Sequence, residues 1–365
     1  MTGLPLAGIT VVDLSTLLPG PLATLMLAEA GARVIKVERP PEGDEMRGMS
    51  EPAFALLNRG KQSMFLDLKT DPSREAFLDL LAGADVLVEQ FRPGVLARLG
   101  LAPDDLRRRF PKLVICSITG YGQSGPRARE AGHDLVYMAR SGVLSLARDG
   151  DGAPPVPPVL AADVAGGAWP AVMNILLALH RRVVTGEGAH LDISMTDSLF
   201  PFAFMELARG LTGGGWPEGG DGLLTGGSPR YRIYRTRDGR YLAAAPLEQR
   251  FWVRFCEIIG LDPVLRDDRT EPDATAVAVA DIIAGRTAEE WTGLFDGEDV
   301  CCAVVATLEE AVADPAFAAR GLFSRKVRSA DGRILPALPL PLDDSLRDQA
   351  TEKPAPAPPG NADVD

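Results

Sequence analysis

Short apolar runs alternate with longer stretches of helix-spaced polarity through the first third of the chain. Strand-like runs rich in Val and Ile cover residues 9–14, 33–38, 85–89 and 113–117, and helical patterns cover 21–30 and 73–81. Short strands separated by helices predict βαβ units and a parallel sheet, hence an α/β fold. The turn Leu18-Pro19-Gly20-Pro21 joins a strand to a helix as nucleotide-binding turns do, but without G-x-G-x-x-G, so it gives little support to an NAD site despite Glu38 at the end of the second strand.

Further along, nine of the eighteen residues 210–227 are glycine, a density that predicts a flexible connector. A hairpin signal follows at residues 231–235 and 241–245 around Asp238-Gly239, and capping boxes at Thr287/Glu290 and Thr307/Glu310 announce helices. The expected organisation is a large Rossmann-like domain over 1–195, completed by 318–365, a Gly-rich linker over 196–227, and a small α+β domain over 228–317. The Pro-rich end, 353–365, reads as extended or disordered chain.

Length and composition narrow the class. A chain of 365 residues, 46% hydrophobic, suffices for two packed domains. A formal charge of −12 argues against a nucleic-acid or anionic-membrane partner, and any anionic ligand needs a local basic patch. The N-terminus lacks the basic start of a secretory signal, and the apolar run 169–179 is shorter than a membrane span, so it reads as a core helix. Cys116, Cys256, Cys301 and Cys302 show no metal-ligand spacing, and adjacent Cys301 and Cys302 are poor disulfide partners. These features lead us to expect a cytoplasmic protein with reduced thiols and no metal.

Three residues stand out as candidate chemistry: His133, Asp163 and Glu248. Histidine is scarce here, three in all, and His133 sits in a Gly-led polar turn between apolar segments. Alone it would read as an ordinary surface or core histidine. Asp163 follows a Pro-rich stretch and precedes Val164-Ala165-Gly166-Gly167-Ala168, which predicts an Asp N-cap on a buried helix. The free N–H groups at such an end would stabilise growing negative charge, and the glycines would let a ligand approach closely.

Long blocks of the chain resemble one family. They are LAGITVVDLSTLLPGPLATLMLAEAGARVIKVERP (6–40), LNRGKQSMFLDLK (57–69), ADVLVEQFRPGVLARLGL (84–101), ITGYGQSGP (118–126) and YRTRDGRYLAAAPLEQRFW (234–252). The chain is identified on these as a member of the CaiB/BaiF group, the family III CoA-transferases, and within it is most similar to the α-methylacyl-CoA racemases. The resemblance implies an interlocked homodimer and an acyl-CoA substrate, with CoA itself as part of that substrate and no separate cofactor.

It further implies roles. In the racemases a GHD motif supplies one base, an Asp thirty residues on supplies the other, and a Glu of the small domain hydrogen-bonds the His. His133, Asp163 and Glu248 match that pattern, Glu248 coming from the partner subunit's small domain. In the transferases an Asp matching Asp163 carries a covalent acyl group, and GHD is usually absent. The resemblance puts Arg39 by the adenine or its phosphates, Leu66, Asp67, Leu68 and Lys69 along the adenosine, and Arg92 by the diphosphate. Gly132, Asp134 and Tyr137 fall along the pantetheine, with Asp134 serving structural hydrogen bonding rather than chemistry. Lys36, Lys61 and Arg98 would extend the basic patch, while Met195 and residues 199–205 would line an acyl pocket or simply pack the core.

Two motifs depart from the racemase pattern, Thr225-Gly226-Gly227-Ser228-Pro229-Arg230-Tyr231 and Leu247-Glu248-Gln249-Arg250-Phe251, implying a different acyl pocket. Three readings therefore stand: a racemase acting through an enolate, a CoA-transferase acting through an aspartyl intermediate, and a non-catalytic CoA-binding protein.

Overall fold

The computed structural model describes residues 3–149 and 152–358. Six parallel strands form its main sheet: β1 Thr10–Asp13, β2 Arg33–Glu38, β3 Gln62–Phe65, β4 Val86–Glu89, β5 Val114–Thr119 and β6 Ala189–Ser194. Their order is β3-β2-β1-β4-β5-β6, so the direction of winding reverses between β1 and β4. β4 and β5 are buried along their whole length, which is why they read as unbroken apolar runs rather than alternating ones. The helix Pro19–Glu29 starts on prolines that pre-set its first turn, and every one of its residues is buried.

The chain divides into two compact units. The large one comprises 1–141, 157–201 and 315–365, and the small one 142–156 and 202–314. Residues 142–156, expected in the large domain, belong to the small unit because the Leu146 carbonyl accepts the Gly220 N–H (2.9 Å) and Arg148 pairs with Asp221 (3.1 Å).

In the small unit, β7 Arg232–Arg235, β8 Tyr241–Ala244 and β9 Cys302–Val304 make an antiparallel sheet. Its core is a run of stacked aromatic rings, Trp252 on Phe255, Phe255 on Phe295 and Phe295 on Trp291. Both capping boxes are formed, at Thr287/Glu290 and Thr307/Glu310. The expected Gly-rich linker differs from the structure: a 3₁₀ segment, Asp197–Ala203, and the helix Phe204–Leu211 occupy its first half, and the glycines after them lie inside the small unit. A Cβ at Gly227 would lie 2.2 Å from the Asp221 carbonyl oxygen, and one at Gly222 2.3 Å from the Glu206 side chain, so these two glycines serve close packing rather than flexibility.

Two further expectations change. The C-terminal stretch is not wholly extended chain, since β10 Lys326–Arg328 pairs antiparallel with β11 Ile334–Pro336 and parallel with β12 Glu352–Pro354. Val327 and Ala355 pack there against Ala55. Residues 359–365 lie outside the described residues. The apolar run 169–179 also belongs to a longer helical stretch, Ala161–Thr185, which is long and apolar enough to cross a membrane by length and composition. Shortness is therefore no argument about it. Its Ala171, Ile175, Ala178 and Leu179 are buried, where it packs on Pro19–Glu29, β5 and β6.

Candidate active site

In a doubly wound sheet the loops at the carboxyl ends of the strands diverge where the winding reverses, and the crevice so formed is the natural ligand site. Here the loops after β1 and β4 bound it. A cavity of about 250 Å³ opens there, lined by Leu17 and Pro19 after β1, Gln90 and Arg92 after β4, and Thr119 and Gly120 at the end of β5. His133, Tyr137 and Asp163 complete its wall, with Met195 beside them. The candidate bases, thirty residues apart in sequence, share one cavity.

His133 is exposed and immediately precedes the helix Asp134–Ser141, whose Val136 and Tyr137 N–H groups donate to its carbonyl (2.8 and 3.1 Å). Its imidazole thus projects from a helix start, the backbone of which is fixed. Asp134 is buried, does not line the cavity, and accepts the Asp163 N–H at 2.9 Å. Its carboxylate joins the two candidate-bearing segments. Burial, reinforced by the Asp134 charge and opposed by His133, pushes the Asp163 carboxyl up to about 6.

Tyr137 closes the floor. Its hydroxyl donates to the Gly132 carbonyl (2.6 Å), its ring meets Tyr121 edge to face, and a Cβ at Gly132 would lie 2.4 Å from it. Glycine precedes His133 because this ring leaves no room for a side chain. Burial, then the Asp163 charge, raises the Tyr137 phenol to about 12, so it remains a donor at neutral pH.

Three expectations about Asp163 are corrected. It is not an N-cap, because the helical turn begins two residues earlier, over Ala161–Asp163, and leads into a wider π-turn, Val164–Ala168. The Asp163 and Val164 N–H groups are not available to a growing oxyanion, since they donate to Asp134 and to the Leu160 carbonyl. Gly166 and Gly167 make room for protein rather than ligand: a Cβ would lie 2.6 Å from the Met195 carbonyl oxygen at one and 3.1 Å from the Met195 side chain at the other. One other donor reaches the cavity: the Gln90 side-chain oxygen accepts the Gly20 N–H (3.0 Å), which leaves its NH₂ for a ligand. Thr119 also lines the cavity, but its hydroxyl is buried, without a partner among the described residues. Neither was legible in sequence, where both look like ordinary strand-end residues.

A second cavity, about 370 Å³, lies along the same sheet edge over β2 and β3. Arg39, Leu66, Asp67, Leu68 and Lys69 all line it, as does Phe91, which also lines the first cavity. Arg92 lines the first cavity instead. Lys36 and Lys61 do not join a basic patch: both are buried beneath the first turn, Lys36 on Asp44 (2.8 Å) and Lys61 on Asp13 (3.2 Å). Burial would raise Asp13, but the two lysines and the hydroxyls of Ser15 and Thr24 bring it down to about 2.

Glu248 belongs to the small unit, where it is the exposed N-cap residue of the helix Gln249–Ile259. The two departures from the racemase pattern meet around it. Arg230 forks onto Asp268 (2.9 and 2.6 Å), donates to the Leu247 carbonyl and the Gln249 side chain, and lies over the Trp252 ring. One arginine thus grips both neighbours of Glu248.

This architecture has relatives. The model of CoA-transferase family III matches residues 6–363. The human protein named alpha-methylacyl-CoA racemase is 38% identical over 326 residues, 87% of this chain and 82% of its own. An Agrobacterium fabrum succinate–glutarate CoA-transferase is 33% identical over 373 residues, 96% of this chain and 92% of its own. Among solved structures, a CaiB/BaiF family protein from Brucella suis superposes with a TM-score of 0.81 at 28% identity, covering 96% of each chain. With the family model matching nearly the whole chain and relatives more than 30% identical over most of their length, the chain belongs to the family III CoA-transferases, the CaiB/BaiF family.

Proposed function

We propose that this protein removes and returns the α-proton of a 2-substituted acyl-CoA thioester, acting as a racemase or epimerase. The observation that carries the reading is the single cavity holding His133 and Asp163, with the Asp163 carboxyl raised to about 6. A base in that range is ionised near neutrality, yet a strong enough acid to give a proton back. The α-carbon lies between the two groups. One takes its proton, the electron pair moves onto the thioester oxygen as an enolate, and the other group protonates the opposite face, so that no net proton is gained or lost. The Gln90 amide is the donor assigned to the enolate oxygen.

The CoA portion follows the sheet edge, its nucleotide end at Arg39 and Lys69 and its pantetheine past Phe91 to the first cavity. Arg39→Ala is expected to raise KM for the acyl-CoA about tenfold with kcat little changed, because that contact is equal in ground and transition states. An unchanged KM would remove Arg39 from the binding site. The reading includes an interlocked homodimer in which Glu248 of the partner subunit orients His133, supported by the exposed apolar residues Trp169, Met173 and Leu177 on one helix. No cofactor beyond the substrate's own CoA is required.

A CoA-transferase is the second reading, favoured by Asp163 itself, a carboxylate facing the same cavity and able to act as a nucleophile. One experiment separates the two. The protein is incubated in deuterated water with a single enantiomer of 2-methylbutanoyl-CoA and then with added succinate. Deuterium gain with loss of optical purity is the expected result. CoA passing to the carboxylate without deuterium gain would replace this reading with the transferase, and no turnover of any kind would leave a CoA-binding protein.

A further inference from the structure

Leu17 has a backbone φ of +62°, one of two positive values among the described residues that are not glycine. A side chain with a Cβ disfavours that region, and an outlier there needs surroundings that over-determine it. The surroundings are unusual. The Leu17 N–H donates to Asp44 (3.0 Å), whose other oxygen pairs with Lys36 (2.8 Å). Lys36 in turn donates to the Ser15 carbonyl (2.7 Å), while the Ser15 N–H and hydroxyl donate to Asp13, itself paired with Lys61. These four charges are buried, and none lines the cavity of His133 and Asp163. Together they clamp the turn from both sides of Thr16.

Leu17 is what the turn presents to that cavity. A glycine would adopt the same φ without cost, so the strained leucine is retained for its side chain. The side chain shares the wall with Pro19, Ile118 and Met195, an apolar surface beside the two bases. The cavity, about 250 Å³, is small for a ligand site, and Leu17 is part of the wall that a group on the α-carbon would meet.

We propose that Leu17 is the residue that limits the bulk of the group on the substrate's α-carbon, held in its strained position by the Asp13, Lys36, Asp44 and Lys61 network. The proposal rests on the acyl-CoA reading above and adds to it a substrate class, thioesters with small α-substituents.

The test compares two probes, 2-methylbutanoyl-CoA and 2-cyclohexylpropanoyl-CoA, by calorimetric Kd and by α-proton exchange in deuterated water. Leu17→Gly, which fits the backbone without strain, and Leu17→Ala are expected to shift both ratios toward the bulky ester by about tenfold or more. Leu17→Met, of similar volume, is expected to leave them within about twofold. Equal changes for both esters, or ratios unchanged in Leu17→Gly with its circular dichroism native, would overturn the proposal. Binding of both esters by the wild type without exchange would refute the proton-transfer reading alone, because the Kd ratios still report on Leu17. Binding of neither ester would refute both.

Discussion

His133→Ala is expected to slow racemisation of 2-methylbutanoyl-CoA by about 10² to 10⁴, while exchange of the α-proton persists from the one enantiomer whose proton faces Asp163. Asp163→Asn should show the converse, with exchange surviving only from the other enantiomer. The asymmetry follows from geometry: two groups on opposite faces of a planar enolate each serve one hand of the substrate, and removing either leaves half of the reaction. A transferase behaves differently. There Asp163 forms the covalent intermediate, so Asp163→Asn loses all turnover while His133→Ala keeps much of it, and hydroxylamine inactivates the working enzyme by capturing an acyl group on Asp163. Full CoA transfer in His133→Ala together with hydroxylamine sensitivity would sink the racemase assignment. Stereospecific exchange in both variants would carry it.

Much of the sheet was legible because parallel strands buried on both faces leave unbroken apolar runs: residues 33–38 form β2 with the same bounds, and the runs at 85–89 and 113–117 overlap β4 and β5. β3 and β6 were missed. QSMF and AHLDIS are mixed in polarity, and β3 and β6 lie at the two ends of the strand order, where the sheet no longer demands apolar residues on both sides. The residues expected along the adenosine do share one cavity, because each follows the carboxyl end of β2 or β3. Side-chain partners were not legible. No pattern shows that Asp134 consumes the Asp163 N–H, since that bond depends on a turn beginning at Ala161 rather than at Asp163. Nor does one show that Lys36 and Lys61 turn inward: a lysine in a strand or loop reads as solvated until four buried charges are found to satisfy one another. Glycine was misread in the same way, twice, as freedom for a chain or a ligand where it makes room for Asp221 and Met195.

Asp163→Asn should also be more stable than the wild type at pH 8, and this gain should vanish in acid. The folded-state pKa of Asp163, about 6, stands above the ordinary aspartate value of 3.8, because burial and the Asp134 charge penalise its ionised form. A carboxyl raised in this way contributes stability that is fully present below 3.8 and is lost as pH rises through about 6. The wild type therefore carries an uncompensated cost at neutral and alkaline pH, and an amide of the same shape does not. The interval between the two values sets a ceiling of about 3 kcal/mol, and the partial solvent access of the side chain reduces the expected difference to about 1–2 kcal/mol. Urea midpoints for both proteins at pH 8 and pH 4, at one protein concentration so that any assembly contributes equally, measure it. A variant that is inactive yet more stable only above about pH 6 is what a base held at the cost of folding predicts. Equal or lower stability of Asp163→Asn at pH 8 would mean that Asp163 is a satisfied structural carboxylate, and the proton shuttle would lose its second member.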